Sequence, residues 1–222
     1  MSLSELKEKI EGKEARIGVI GLGYVGLPVA ALFAKAGFDV IGIDIDRERV
    51  ETINRGVSPI KGKEPGLADL LENVIKGGKL RAATDYDELN DREVILIDVE
   101  TPINEDHQPE YKALRSVIRD LGLVLKPGAL VIVESTLAPR TMADLVQPLL
   151  EESSGRKLNE GFYLGNCPER VMPGKLFKNL RTMNRVVGGM NPETAQVMAA
   201  LYSQIVKGDL DRTDCLTAEI VK

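Results

Sequence analysis

The 222-residue chain contains no tryptophan, a single histidine, two cysteines, and only four phenylalanines and five tyrosines. Each shortage removes a class of function. His107 sits in a polar loop and cannot anchor a metal site without partners elsewhere, so no metal is expected. Cys167 and Cys215 are too few and too isolated for a disulfide framework or a metal cage, and reduced thiols fit a cytoplasmic setting. The net charge of -5 comes from intermixed acids and bases. With no basic stripe and no aromatic platform, a nucleic-acid partner is not expected. No apolar run is long enough to span a bilayer and no hydrophobic segment opens the chain, so no membrane partner is expected either. What remains is a chain with ample length for one large buried core.

The strongest positive signal lies between Arg16 and Ala30. Ile17, Val19 and Ile20 are β-branched residues suited to the first strand of a parallel sheet, and Gly21, Gly23 and Gly26 follow at G-x-G-x-x-G spacing. In that motif the first glycine permits a tight turn, the second lets a pyrophosphate approach the backbone, and the third lets the next helix pack closely on the strand. The helix, predicted over 25–36, would aim its free N–H groups and positive dipole end at the phosphates. A second apolar run, 39–43, ends in Asp44, roughly 20 residues past the glycines, where an acid accepts hydrogen bonds from an adenosine ribose. A carboxylate there repels a 2′-phosphate, which favours NAD over NADP. Asp44 also reads as an N-cap for the segment that begins at Asp46. Arg49, one turn into that helix, reaches either the adenosine end or solvent.

Leu3, Leu6 and Ile10 recur at helical spacing among charges, which predicts a short amphipathic helix within 1–14, outside the main fold. Helices are further predicted over 47–54, 64–76, 111–125, 139–152, from 191 to about 206, and from about Thr213 to the last residue. Strands are predicted over 80–83, 93–99, 129–133, 162–166 and 185–189. Continuous apolar strands alternating with helices specify an α/β fold: a Rossmann-type, doubly wound, mostly parallel sheet with flanking helices. Three apolar strands finish in polar residues, at Asp44, at Glu100-Thr101 and at Glu134-Ser135-Thr136, on what should be one ligand-bearing edge. The strand at 162–166 leads into Cys167-Pro168-Glu169-Arg170-Val171-Met172-Pro173-Gly174, a loop that combines acid, base and two prolines.

With these segments in hand, the chain resembles the UDP-glucose/GDP-mannose dehydrogenase family, and within it the UDP-N-acetylmannosamine dehydrogenase branch. The resemblance covers nearly everything after about Arg16. It rests on Gly21-Leu22-Gly23-Tyr24-Val25-Gly26-Leu27-Pro28, Asp44 with Arg49, Thr101-Pro102, Glu134-Ser135-Thr136, Cys167-Pro168-Glu169-Arg170-Val171 with Pro173-Gly174, and Ala218-Glu219 followed by Lys222. Where the UDP-glucose branch carries a second acid four residues after the glutamate, this chain has Pro173, the form of enzymes that act on 2-acetamido sugars. The resemblance implies oxidation of a UDP-sugar C6 hydroxyl to the carboxylate with two NAD, through an aldehyde and then a thioester on an enzyme cysteine. It implies NAD contacts from the three glycines and from Tyr24, Val25, Asp44, Arg49, Thr101 and Thr136. Arg170, Val171 and Lys222 would touch the nucleotide sugar. Glu169 would act as a base or water-orienting group, and Lys222 would stabilise oxyanion character or shuttle a proton near C6. Read without the family, Glu169 is a loop partner of Arg170 and Lys222 an exposed helix residue.

The family's nucleophilic cysteine, an asparagine one helical turn past the lysine and the UDP-binding domain would all lie beyond Lys222. Neither Cys167 nor Cys215 matches the nucleophile, so both read as packing residues. The expected organisation is a helical extension at 1–14, a dinucleotide-binding domain at 15–212 and, at 213–222, the start of a central helix through which the family forms homodimers. On this reading the 222 residues are a truncated dehydrogenase that binds NAD and is inactive alone. Leu137-Ala138-Pro139-Arg140 departs from the family's usual P-P-G-T ending. The alternatives are UDP-N-acetylglucosamine as substrate, a stand-alone dinucleotide-binding module without catalysis, and a β-hydroxyacid dehydrogenase, against which the Cys167–Gly174 segment argues.

Overall fold

In the computed structural model, which describes residues 1–62, 64–169 and 174–222, the apolar runs become strands of one eight-stranded sheet. Its strands are β1 (Arg16–Ile20), β2 (Asp39–Ile43), β3 (Leu80–Ala83), β4 (Val94–Ile97), β5 (Ala129–Val133), β6 (Phe162–Asn166), β7 (Arg185–Gly189) and β8 (Leu210–Asp214). They lie in the order β3-β2-β1-β4-β5-β6-β7-β8. The first six are mutually parallel, β7 runs antiparallel to β6, and β8 runs parallel to β7. Every residue of β4 and β5 is buried, because helices cover both faces and leave no polar side to alternate with.

One apolar layer joins the sheet to α2 (Gly26–Lys35), α3 (Arg47–Asn54), α4 (Leu67–Lys76), α7 (Leu176–Thr182) and α8 (Pro192–Tyr202). The other joins it to α5 (Lys112–Val124), α6 (Gln147–Ser154) and α9 (Cys215–Ile220). β1 has β2 on one side and β4 on the other, so the chain leaves it in opposite directions in the two halves. A crevice therefore opens at the carboxyl ends of those strands.

Three features differ from the sequence reading. The first helix, α1 (Leu3–Glu11), is capped by a reciprocal Ser2–Glu5 pair, but it is not outside the fold. Leu6 and Ile10 are fully buried and α1 packs on α8, because a two-residue apolar stripe beside Lys9–Glu93 and Lys126–Glu93 ion pairs gives it both a greasy and a charged anchor. Thr213 lies in β8 and not in a helix. Leu210–Asp214 has no apolar alternation, and its backbone pairing with β7 determines its state, after which Asp214 caps α9 by accepting from Thr217 N–H at 2.9 Å. The predicted helix over 139–152 opens with a π-helical turn, Met142–Val146. Gln147 N–H reaches back to the Met142 carbonyl, and Pro148 has no N–H to continue the tighter ladder.

The packing of α1 gives a direct test. Leu6→Ala is expected to cost about 2–5 kcal/mol in denaturant unfolding, as for other fully buried leucines. A loss below about 0.5 kcal/mol, ordinary for a surface site, would return α1 to the status of a loose extension.

Candidate active site

The turn after β1 is built on absent side chains. Gly21 has φ +93°, and a Cβ on it would fall 2.4 Å from the Asp98 carbonyl oxygen. A Cβ on Gly26, at the start of α2, would fall 2.0 Å from the Gly21 oxygen and 2.9 Å from Asp98 Cβ. A Cβ on Gly23 would meet nothing within 4 Å, so this stretch of backbone faces open space. Val25, the N-cap of α2, offers no side-chain cap, which leaves first-turn N–H groups for an anion.

A cleft of about 710 Å³ lies over this turn. Gly21, Gly23, Tyr24, Val25, Asp44, Arg49, Thr101, Thr136, Glu169 and Lys222 all line it, and Gly26 lies under the turn. Asp44 is buried and fixed by three donors. Leu22 N–H and Arg49 Nη1 reach Oδ2 at 2.8 and 2.9 Å, and Asp46 N–H reaches Oδ1 at 2.9 Å. The cap of α3 is Asp46, which accepts from Arg49 N–H at 3.1 Å, so Asp44 is left to face the cleft. Ile45 follows it, 96% exposed at the rim. At the far side, Thr101 Oγ1 donates to the Thr136 carbonyl and Ser135 Oγ to the Val99 carbonyl, each at 2.7 Å, which laces the ends of β4 and β5 together.

Beneath this end a cluster of acids surrounds Arg185. Arg185, 3% exposed, reaches Glu169 Oε2 at 2.6 Å and Glu134 Oε1 at 3.4 Å. Tyr202 donates to Glu134 Oε1 at 2.9 Å, and the guanidinium carbon lies 5.2 Å from the Tyr202 ring centre. Asp98, one strand over, keeps Oδ2 shut off from solvent, as Glu134 does Oε2. Among the described residues three carboxyl groups face one guanidinium, so their full ionisation would leave excess negative charge there. Burial first, and the Glu134 charge second, push the Asp98 carboxyl well above its ordinary value. Burial also raises Glu134, against the pull of Arg185. The arrangement holds Glu169 against Arg185 at 2.6 Å. Burial pushes the Cys167 and Cys215 thiols up to about 12, which keeps both protonated and unreactive.

Arg140 takes a left-handed backbone, at φ +73°, of the kind that glycine favours. Its N–H and that of Met142 each donate to the buried Glu219 carboxylate at 2.7 Å, so α9 pins this turn. Lys222, exposed just past α9, reaches the cleft. Arg170 and Val171 lie outside the described residues. The sequence reading gave no role to Asp98 or Arg185, and it placed Glu134 at the ligand-bearing edge without naming its partners. A charged residue ending the apolar run Val94–Ile97 was the available signal for Asp98.

Residues 15–206 match the NAD binding domain of the UDP-glucose/GDP-mannose dehydrogenase family. The chain belongs to this family. A UDP-N-acetyl-D-mannosamine dehydrogenase from Pyrococcus horikoshii is 41% identical over 93% of the chain and 49% of its own length, and its solved structure superposes with a TM-score of 0.89. One from Escherichia coli is 39% identical over 94% of the chain and 50% of its own length. The structure of an NDP-N-acetyl-D-galactosaminuronic acid dehydrogenase from Methanosarcina mazei, 38% identical, matches all of the chain and 49% of its own with a TM-score of 0.92. The chain thus spans about half the length of the relatives it matches. Its cofactor is NAD, and the open backbone at Gly23 with the fixed Asp44 carboxylate fits the pyrophosphate and ribose of that dinucleotide. Among the described residues no helix is long and apolar enough to cross a membrane.

A carboxyl that binds its proton more firmly folded than unfolded loses stability as pH rises from the unfolded value near 4 towards the raised folded one. Asp98→Asn removes that loss. Its melting temperature is expected to equal the parent's at about pH 4 and to exceed it increasingly towards pH 8. Parallel melting curves across that range would show that Asp98 ionises normally.

Proposed function

We propose that this chain is the cofactor-binding part of an enzyme that oxidises the C6 hydroxyl of UDP-N-acetyl-D-mannosamine to the carboxylate, using two NAD per sugar. The observation that carries this reading is that Glu169 and Lys222 line the same cleft as Gly23, Asp44 and Arg49. The sugar is suggested by the names of the Pyrococcus horikoshii and Escherichia coli relatives. The Methanosarcina mazei protein, named for a galactosaminuronic acid, is nearly as similar, so the acetamido group is the better supported part of the substrate and UDP-N-acetylglucosamine is the second reading.

NAD, when bound, supplies the hydride acceptor for both oxidations. The remaining roles fall to the chain. Gly23 and the first turn of α2 face the pyrophosphate, Asp44 accepts from the adenosine ribose and excludes a 2′-phosphate, and Ile45 covers the adenine. Tyr24, Val25, Thr101 and Thr136 contact the dinucleotide further along, and Arg49 supports Asp44. Arg170, Val171 and Lys222 hold the nucleotide sugar. The Lys222 ammonium stabilises negative charge developing on the C6 oxygen or relays its proton. Glu169, fixed by Arg185, orients the water that hydrolyses the thioester after the second oxidation and releases the carboxylate. The whole protein is a cytoplasmic homodimer on the same reading, and the 222 residues alone bind NAD without turnover.

With UDP-N-acetyl-D-mannosamine, the natural protein that carries this sequence is expected to form two NADH per sugar, and Lys222→Ala in it to lower kcat by about 100-fold or more. The 222-residue chain should bind NAD in calorimetry and form no NADH. Absence of NADH from every UDP-2-acetamido sugar with the natural protein would overturn the substrate class. Sustained turnover by the 222 residues would overturn the division of labour.

A further inference from the structure

Glu64, between α3 and α4, has no part in the roles above, yet its carboxylate gathers hydrogen bonds from two separate parts of the site. Oε1 accepts from the Tyr24 hydroxyl on the cofactor turn and from Gly174 N–H at 2.6 Å, and Oε2 accepts from Leu176 N–H at 3.1 Å. Gly174 and Leu176 lead into α7 and follow closely in sequence on Arg170 and Val171, the expected sugar contacts. Lys175, the N-cap of α7, makes no side-chain cap, so a carboxylate from a distant segment does that work. Burial first, and Glu64 second, push the Tyr24 phenol up to about 12, which keeps it a donor. Three donors on one carboxyl group form a short, stiff connection between the two parts.

We propose that Glu64 is a positioning residue that couples the cofactor turn to the start of α7. NAD settling against Tyr24 fixes the hydroxyl, the hydroxyl fixes the Glu64 carboxylate, and the carboxylate holds the N–H groups of Gly174 and Leu176 more firmly. Since coupling is reciprocal, a nucleotide sugar that engages this segment tightens NAD by the same factor. The inference rests on the reading that NAD occupies the cleft against Tyr24.

Amide hydrogen exchange of the 222-residue chain, with and without saturating NAD, tests it. The amides of Gly174 and Leu176 are expected to slow by roughly tenfold on adding NAD, the scale of one hydrogen bond to a charged acceptor. The Leu22 amide, held by Asp44, serves as the local reporter of cofactor. In Tyr24→Phe and in Glu64→Ala, with NAD raised until calorimetry shows saturation, Leu22 should still slow while Gly174 and Leu176 no longer respond. If Leu22 responds but those two amides do not in the parent, or respond equally in both variants, the coupling is wrong and the NAD reading stands. If the parent shows neither binding heat nor any change at Leu22, the NAD reading fails and the coupling goes with it.

Discussion

The close approach of α2 to the ends of β1 and β4 is the constraint on which the rest of the molecule depends. It exists because two residues lack a Cβ, one of which would lie 2.0 Å from a backbone oxygen. With that contact closed, the first turn of α2 sits over the strand ends, and the cleft has a floor of backbone. Asp98 is wedged against the same contact, since its Cβ and carbonyl are the atoms that side chains on Gly26 and Gly21 would strike. Packing and charge therefore meet at one point. The turn at the floor of the cleft also packs on Asp98.

The acid cluster below follows from that closure. Among the described residues, Asp98, Glu134 and Glu169 gather round the guanidinium of Arg185, and removing one partner of such a pair ordinarily costs about 3–5 kcal/mol because the other charge is stranded. The cluster thus fixes the geometry of Glu169 at the cleft while drawing three strand ends and α8 together. β7, which carries Arg185, reverses direction against β6, and this reversal is what brings its first residue under the Glu169 loop. Glu64 and Glu219 do similar work at the periphery, each a carboxylate that serves backbone N–H groups of a remote turn.

Much of this was legible in the residues. β5 and β6 fall on the predicted boundaries because a strand buried on both faces writes itself as an unbroken apolar run between turns. The tight turn at Gly21 and the close packing at Gly26 were readable because local spacing sets them. β8 was not, since Leu210–Asp214 is held by pairing with β7 and carries no pattern of its own. The stripe on α1 told that one face is buried but not that α8 covers it. Arg185 and Glu64 were out of reach for a common reason: their partners are distant in sequence, 110 residues away for Glu64 and Gly174, and only the folded sheet sets them side by side.

The most direct test is a crystal structure of the chain with NAD bound. The account predicts the adenosine ribose on Asp44, the pyrophosphate over Gly23 and the first turn of α2, and the nicotinamide at the end of the cleft formed by Thr101, Thr136 and Glu169. A dinucleotide bound in the reverse sense, or with its pyrophosphate away from Gly23, would contradict it.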